Sequence, residues 1–445
     1  METFESPLSK IAAFFIVFSM PCMGFGQNYT SYFTGDTTNL VTNPSGGVCL
    51  MGGATEDDNA MKWFLNRADG GDILVLRTSG SDGYNDYLYS SLGISVNSVE
   101  SIVCNNAAAS YDPYVLQKIQ QAEAVWFAGG DQWKYVSYWR STPVDSLVNQ
   151  AIQQRNIVVG GTSAGMAILG KYYFSAQNGT VTSATALANP FNNHVTVDST
   201  SFIQNAYLSN VITDTHFDNP DRRGRLVTFL ARIYTDFGVL GKALACDEYT
   251  AICIDTTGIA QVFGGYPPYN DNAYFIQTNC GLPSQAPETC AAGSPLSWDL
   301  GGKAIKVYRI RGTPSGINTF DLNDWETGGS GGQWFNWSVT NGVFSEQNGN
   351  PINCNPVSIY ENQENELSVF PNPTSGKVII SSAENSITDC RLSLCSNLGR
   401  PMRIPENRPS DNLMELDLGS LPFGLYFLTI ISDDEIKYCR MIIKN

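Results

Sequence analysis

The sequence predicts a three-layer α/β domain on a mostly parallel sheet, a β-rich extension, and a separate C-terminal all-β sandwich. Three observations carry this. Short apolar runs alternate with helical stretches from Val48 to about Asp255. Glycine, proline, asparagine and aromatic residues take over after that point. Residues 366–445 alternate apolar and polar positions between turn residues.

The apolar runs are VCLMGG (48–53), DILVLR (72–77), AVWFAGG (124–130), NIVVGG (156–161) and NVITDTHF (210–217). Several are β-branched without alternation, as strands buried on both faces are. The segment Asp57 to Arg67 reads as a helix, with Met61, Phe64 and Leu65 at helical spacing behind an acidic start. KAIKVYRI (303–310) reads as a strand of the β-rich extension. Residues 326–365, which contain ETGGSGGQ, read as a linker with some local structure. LSVFP, KVIISS, CRLSLCS, LMELDL, GLYFLTII and YCRMIIKN then read as the strands of the last module.

The 445 residues are ample for more than one domain. With 22 Phe, 21 Tyr and 8 Trp, general disorder is excluded. A net charge of -16 argues against nucleic acid as a partner. Residues 11–20, IAAFFIVFSM, follow Lys10 and precede small residues, which predicts a signal peptide over 1–26. No later stretch reaches the ~18 apolar residues of a membrane span. An exported chain with 11 cysteines is expected to hold disulfides, and Cys280 with Cys290 is the expected local pair. No CxxC occurs, so a zinc site lacks its usual spacing.

The strongest chemical signal is Gly161-Thr162-Ser163-Ala164-Gly165. It lies between a predicted strand and a predicted helix, the setting of a nucleophile elbow. Ser163 is the candidate nucleophile, and the Ala164 N–H is a candidate oxyanion donor. Only two histidines exist. His216 ends an apolar run, where open α/β sheets place their sites, whereas His194 follows a turn-rich stretch. Glu248, Asp247 and Asp214 compete as the acid that orients the imidazole. Ser, His, acid is not the α/β-hydrolase order, so that fold is disfavoured. Gly129 and Gly130 end another strand and are expected to complete the oxyanion hole, with Gln132 placed to hydrogen-bond a substrate. Arg222 and Arg225 are candidates for substrate carboxylates.

FAGGDQ (127–132), GTSAGMA (161–167), DTHF with RRGRL (214–226) and DEYTA (247–251) occur in the order of a known family. The span from about Val48 to Asp255 resembles the cyanophycinase branch of the S51 serine peptidases. The resemblance implies a class I glutamine amidotransferase-like, flavodoxin-like fold over 27–325. It implies Ser163 as nucleophile, His216 as base and Glu248 as acid, with Gln132, Arg222 and Arg225 contacting substrate. It also implies exo-type hydrolysis of cyanophycin to β-Asp-Arg dipeptides, with no cofactor and no metal. An amidotransferase would carry cysteine at position 163. Thr215 stands where the family reads glutamine, and Pro220 where it reads arginine. A general dipeptidase of the same clan and a non-catalytic surface binding protein stay open as alternatives, as does a homodimer.

Residues 366–445 resemble a type A sorting domain of the type IX secretion system. The carrying residues are Phe370-Pro371-Asn372-Pro373-Thr374-Ser375-Gly376, Gly424-Leu425-Tyr426-Phe427 and Arg440-Met441-Ile442-Ile443-Lys444. The resemblance implies the type IX secretion machinery as partner and a secreted or cell-surface protein.

Overall fold

The computed structural model describes residues 27–200, 202–354, 367–382, 387–397, 400–432 and 435–445, the side chains of 367 and 432–439 excepted. The expected signal peptide lies outside the described residues. The chain forms two compact units, divided between Cys354 and Asn355.

In the first unit, β1 (Tyr29–Gly35), β2 (Val48–Met51), β3 (Asp72–Arg77), β4 (Ser98–Cys104), β5 (Ala124–Phe127) and β6 (Val158–Thr162) begin the main sheet. Next come β7 (Tyr173–Phe174), β8 (Val197–Asp198), β9 (Val211–Asp214), β10 (Lys242–Cys246), β11 (Ala251–Ile254) and β12 (Ile259–Phe263). Then follow β13 (Asn272–Thr278), β14 (Ile305–Arg311), β15 (Asn318–Asp321), β16 (Gly332–Thr340) and β17 (Val343–Asn348). The nine-stranded sheet has the order β1-β4-β3-β5-β6-β2-β11-β12-β15. Its centre, β4-β3-β5-β6-β2, is parallel, and both edges are antiparallel. The expected parallel sheet is therefore the middle of a mixed one.

Helices cover both faces. On one lies α1 (Asp58–Asn66), capped by Asp57, whose carboxylate accepts from the Asn59 and Ala60 N–H groups at 2.9 Å. Its Met61, Phe64 and Leu65 share a core with Cys49, Met51, Val75 and Trp126. Each such fully buried large side chain contributes about 1.5–3 kcal/mol. On the other face lie α2 (Pro113–Gln121), α3 (Gln132–Trp139), α4 (Pro143–Arg155) and the short α5 (Ala164–Ala167). Their Val115, Ile119, Tyr135, Trp139 and Val148 meet Val48, Leu50, Val125 and Val159. Strand residues alternate between the two cores because successive Cβ atoms point to opposite faces.

A second, six-stranded sheet has the order β17-β16-β14-β13-β10-β9. It is antiparallel except for β9 and β10. The apolar stripe of α7 (Arg223–Phe237) packs with α6 (Ser183–Ala188) against it. So the β-rich extension does not trail the α/β core. It builds the sheet that carries β9 and β10.

Two expectations are corrected here. The stretch 326–365 is not a linker through Asn348, because β16 and β17 occupy it and Trp334, Phe335, Trp337 and Val339 are buried. Glycine-rich composition marked the turns around those strands and hid the aromatic residues between them. Cys280 bonds to Cys354, not to Cys290, which stays a free thiol. Sequence proximity suggested the local pair, but the sheet brings the distant partner to Cys280.

The second unit holds two antiparallel four-stranded sheets around Val378, Ile380, Leu394, Met414, Leu416, Leu428 and Ile430. All six strand segments expected there are strands. Among the described residues no helix is long and apolar enough to cross a membrane.

Candidate active site

The carboxyl ends of β5, β6 and β2 in one sheet, and of β9 and β10 in the other, converge on one place. Ser163 follows β6 at φ +52° and ψ −116°, a strained conformation for a residue with a side chain. The turn is that tight because its glycines admit close backbone approach. A Cβ at Gly161 would lie 2.6 Å from the Gly165 carbonyl carbon, and one at Gly165 would overlap the Phe127 carbonyl. The Ser163 N–H donates to the Met51 carbonyl at 3.2 Å. Ser163 itself is half-buried.

His216 lies just beyond β9, at φ +47°. Its N–H donates to the Gly52 carbonyl at 2.8 Å, fixing it to the end of β2. Its Nε2 lies 2.8 Å from Ser163 Oγ, and its Nδ1 lies 2.6 Å from Glu248 Oε1. An ionised Glu248 accepts from Nδ1–H, which leaves the Nε2 lone pair for the serine hydroxyl. Glu248 follows β10, and its N–H donates to Asp218 Oδ1 at 3.0 Å. The His216 and Glu248 side chains are 23% and 19% exposed, so a substrate has access while most of the hydrogen-bonded pair is shielded.

The other acids are engaged elsewhere. Asp214 is buried and forms a two-pronged pair with Arg225, whose Nε donates at 3.0 Å and whose Nη2 reaches the other oxygen. Asp214 and His216 do not share a strand face, because β9 ends at Asp214 and the positive φ of His216 breaks the alternation. Asp247 accepts from the Asn272 N–H at 2.8 Å, and burial pushes its carboxyl up to about 7. His194 is away from this site, with its Nδ1 buried and its N–H on Asn192 Oδ1 at 3.0 Å.

The expected substrate contacts divide. Arg225 is 4% exposed, and its guanidinium also lies over Phe174 and Phe229, so it is a packed structural cation and not a substrate arm. The sequence concealed this because its partner Asp214 reads as a strand-end acid. Arg222 Nη1 donates to the Thr215 carbonyl at 2.9 Å, next to His216, and its buried Nε has no protein partner. Burial, then the neighbouring Arg225, lowers the Arg222 pKa. Gln132 opens α3 and donates its amide to the Phe174 carbonyl at 2.7 Å, so that hydrogen is already used. Gly129 faces the serine: a Cβ there would lie 3.6 Å from Ser163 Cβ. Tyr135 donates to the carbonyls of Ala128 and Gly129 at 2.8 and 3.0 Å, which fixes the peptide planes of this loop.

Three contributors escaped the sequence reading. Gly53, at φ +117°, leaves room for the His216 ring, which a Cβ there would strike. Asp218 holds the Glu248 backbone, and Tyr135 holds the glycine loop. The double glycine after β2 was the available signal for the first.

Residues 82–231 match the model of peptidase family S51, and residues 368–445 match that of a secretion system C-terminal sorting domain. A cyanophycinase from Synechococcus elongatus is 24% identical over 236 residues, 51% of this chain and 68% of that protein. A cyanophycinase from Trichormus variabilis is 27% identical over 150 residues, 34% of this chain and 45% of that protein. The crystal structure of a peptidase from an acI-B1 actinobacterium aligns with a TM-score of 0.39 at 15% identity, covering 52% of this chain and 91% of its own.

Proposed function

We propose an exported serine peptidase of the cyanophycinase type, a reading supported by the match of residues 82–231 to the model of peptidase family S51 and of 368–445 to that of a secretion system C-terminal sorting domain. It acts as an exopeptidase on β-aspartyl amide bonds, through an acyl-enzyme. The observation that carries this reading is the continuous Ser163–His216–Glu248 hydrogen-bonded line on a strained elbow.

His216 takes the Ser163 proton as Oγ attacks the amide carbonyl carbon. The C–O bond forms, and negative charge collects on the former carbonyl oxygen. The N–H groups of Ala164 and of the Gly129–Gly130 loop stabilise that charge, and Tyr135 keeps the loop carbonyls turned away. His216 then gives its proton to the leaving amine as the C–N bond breaks. Water, deprotonated by the same imidazole, releases the acid product and restores Ser163. Glu248 holds the Nδ1–H tautomer and stabilises the imidazolium between the two transfers.

Cyanophycin, cut to β-Asp-Arg dipeptides, is the substrate suggested by the relatives. One observation favours a second reading, a general dipeptidase of the same clan with another substrate. Thr215 is buried, Pro220 carries no donor, and Arg225 is spent on Asp214, so three recognition positions offer substrate little. Product analysis on cyanophycin against short α- and β-aspartyl peptides separates the two readings. Ser163→Ala is expected to lower kcat by at least ~10⁴-fold with the fold intact. Undiminished turnover, or folded wild-type protein that a fluorophosphonate fails to label at Ser163, would sink the serine mechanism.

A further inference from the structure

Two buried thiols stand opposite each other behind the triad. In the antiparallel pair of β2 and β11, Cys49 is the register partner of Cys253. The Gly52 N–H donates to the Thr250 carbonyl at 2.9 Å, which makes Gly52–Thr250 a hydrogen-bonded pair. Bonded and non-bonded pairs alternate along such a ladder. Met51–Ala251 is then non-bonded, Leu50–Ile252 bonded and Cys49–Cys253 non-bonded. Non-bonded partners have Cα atoms about 4.5 Å apart. That lies inside the roughly 4.4–6.8 Å span a disulfide bridges. Both side chains point into the core that contains Phe64 and Met61, and their sulfurs are 3.7 Å apart as free thiols.

We propose that Cys49 and Cys253 form a cross-strand disulfide in the exported protein. The same unit already carries the Cys280–Cys354 bond, and the sorting domain takes the chain into compartments that oxidise thiols. The two thiols lose two protons and two electrons. The acceptor is a disulfide of a thiol oxidase or of oxidised glutathione, which is reduced to thiols. One thiolate attacks that disulfide to give a mixed disulfide, and the second displaces it to close the S–S bond. Both sulfurs are sealed from solvent in the folded unit, so the exchange occurs during folding, before α1 covers them.

The bond has a position relative to the chemistry. β2 runs into Gly52 and Gly53, which hold and accommodate His216. β11 begins three residues after Glu248. A Cys49–Cys253 bond ties the strand that holds the His216 backbone to the strand that follows Glu248.

The test uses the full chain, exported by a type IX-competent host, then denatured in iodoacetamide without reductant and mapped by peptide mass. The expected result is one linked peptide pair containing Cys49 and Cys253, with Cys104 and Cys246 alkylated. The same mapping on chain refolded in a glutathione buffer needs no export. There, alkylation of both Cys49 and Cys253 beside an intact Cys280–Cys354 bond overturns the pairing, as does linkage of Cys253 to Cys246. Alkylation of both in the exported chain likewise overturns the proposal, whereas a chain that is never exported yet links on refolding supports the pairing and counts against the export reading on which its setting rests. Linked protein is also expected to melt at a higher temperature than its Cys49→Ala/Cys253→Ala variant, the closed loop being long.

Discussion

A methyl group at Gly53 would overlap the His216 ring. Gly53→Ala is therefore expected to displace the imidazole and lower kcat by about 100-fold, since misplacement of roughly 1 Å has that effect. Steady-state kinetics beside an unchanged circular dichroism spectrum checks it. Arg225 gives a contrasting outcome. Arg225→Ala strands a buried Asp214 and is expected to cost about 3–5 kcal/mol of stability in urea unfolding. A substrate arm would instead raise KM and leave stability alone. These residues also show what a sequence can hold. The elbow was legible because Gly161, Ser163 and Gly165 are local, between a strand and a helix. The Arg225–Asp214 pair was not, since nothing in residue type distinguishes a buried arginine from a substrate-binding one. Glu248 was one of three acids until the family resemblance selected it, and its neighbour Asp247 differs from it only in where β10 ends.

At the scale of elements, the starts of β3, β5 and β6 are stitched by Glu123. Its carboxylate accepts from the Asp72 N–H at 2.9 Å, its own N–H donates to the Asp72 carbonyl, and the Val158 N–H donates to its carbonyl. Arg155 is 3.8 Å from it, too far to offset its desolvation, and burial pushes the carboxyl up to about 7. A raised carboxyl pKa means the folded state holds a proton that the unfolded chain gives up near its ordinary value of 4.5. Stability from this group is then full below about pH 4.5 and is lost as the pH rises to about 7. Glu123→Gln keeps the acceptor and removes the titration. Its melting temperature is expected to exceed the parent's at pH 8, with the gap narrowing towards pH 4.5. Equal differences at both pH values would show that folding leaves this carboxyl unshifted from its ordinary value. Periodicity identified the strands flanking this junction, but the long-range pairing that decides the second sheet has no local signature. β16 was missed because glycine-rich turns on either side masked Trp334, Phe335 and Trp337, and no nearby segment advertised its pairing with β14.

For the whole molecule, the sequence resolved two folded units and misplaced the boundary between them. Ending the chain after Trp325, where a linker was expected, removes β16, β17 and the Cys354 half of the disulfide. That truncation is expected to yield no soluble enzyme. Ending after Asn355 keeps all three, and is expected to retain kcat/KM within about twofold while abolishing export. Soluble expression, activity and culture-medium fractionation check both. Activity in the shorter form would show that the second sheet is dispensable. The triad also has a temporal meaning. Ser163 belongs to one sheet, while His216 and Glu248 hang from the other. A chain emerging from the ribosome displays its nucleophile long before its base and acid exist. Under the proposed mechanism the triad assembles only when the two sheets dock, so a fragment that ends before β9 lacks its base and its acid.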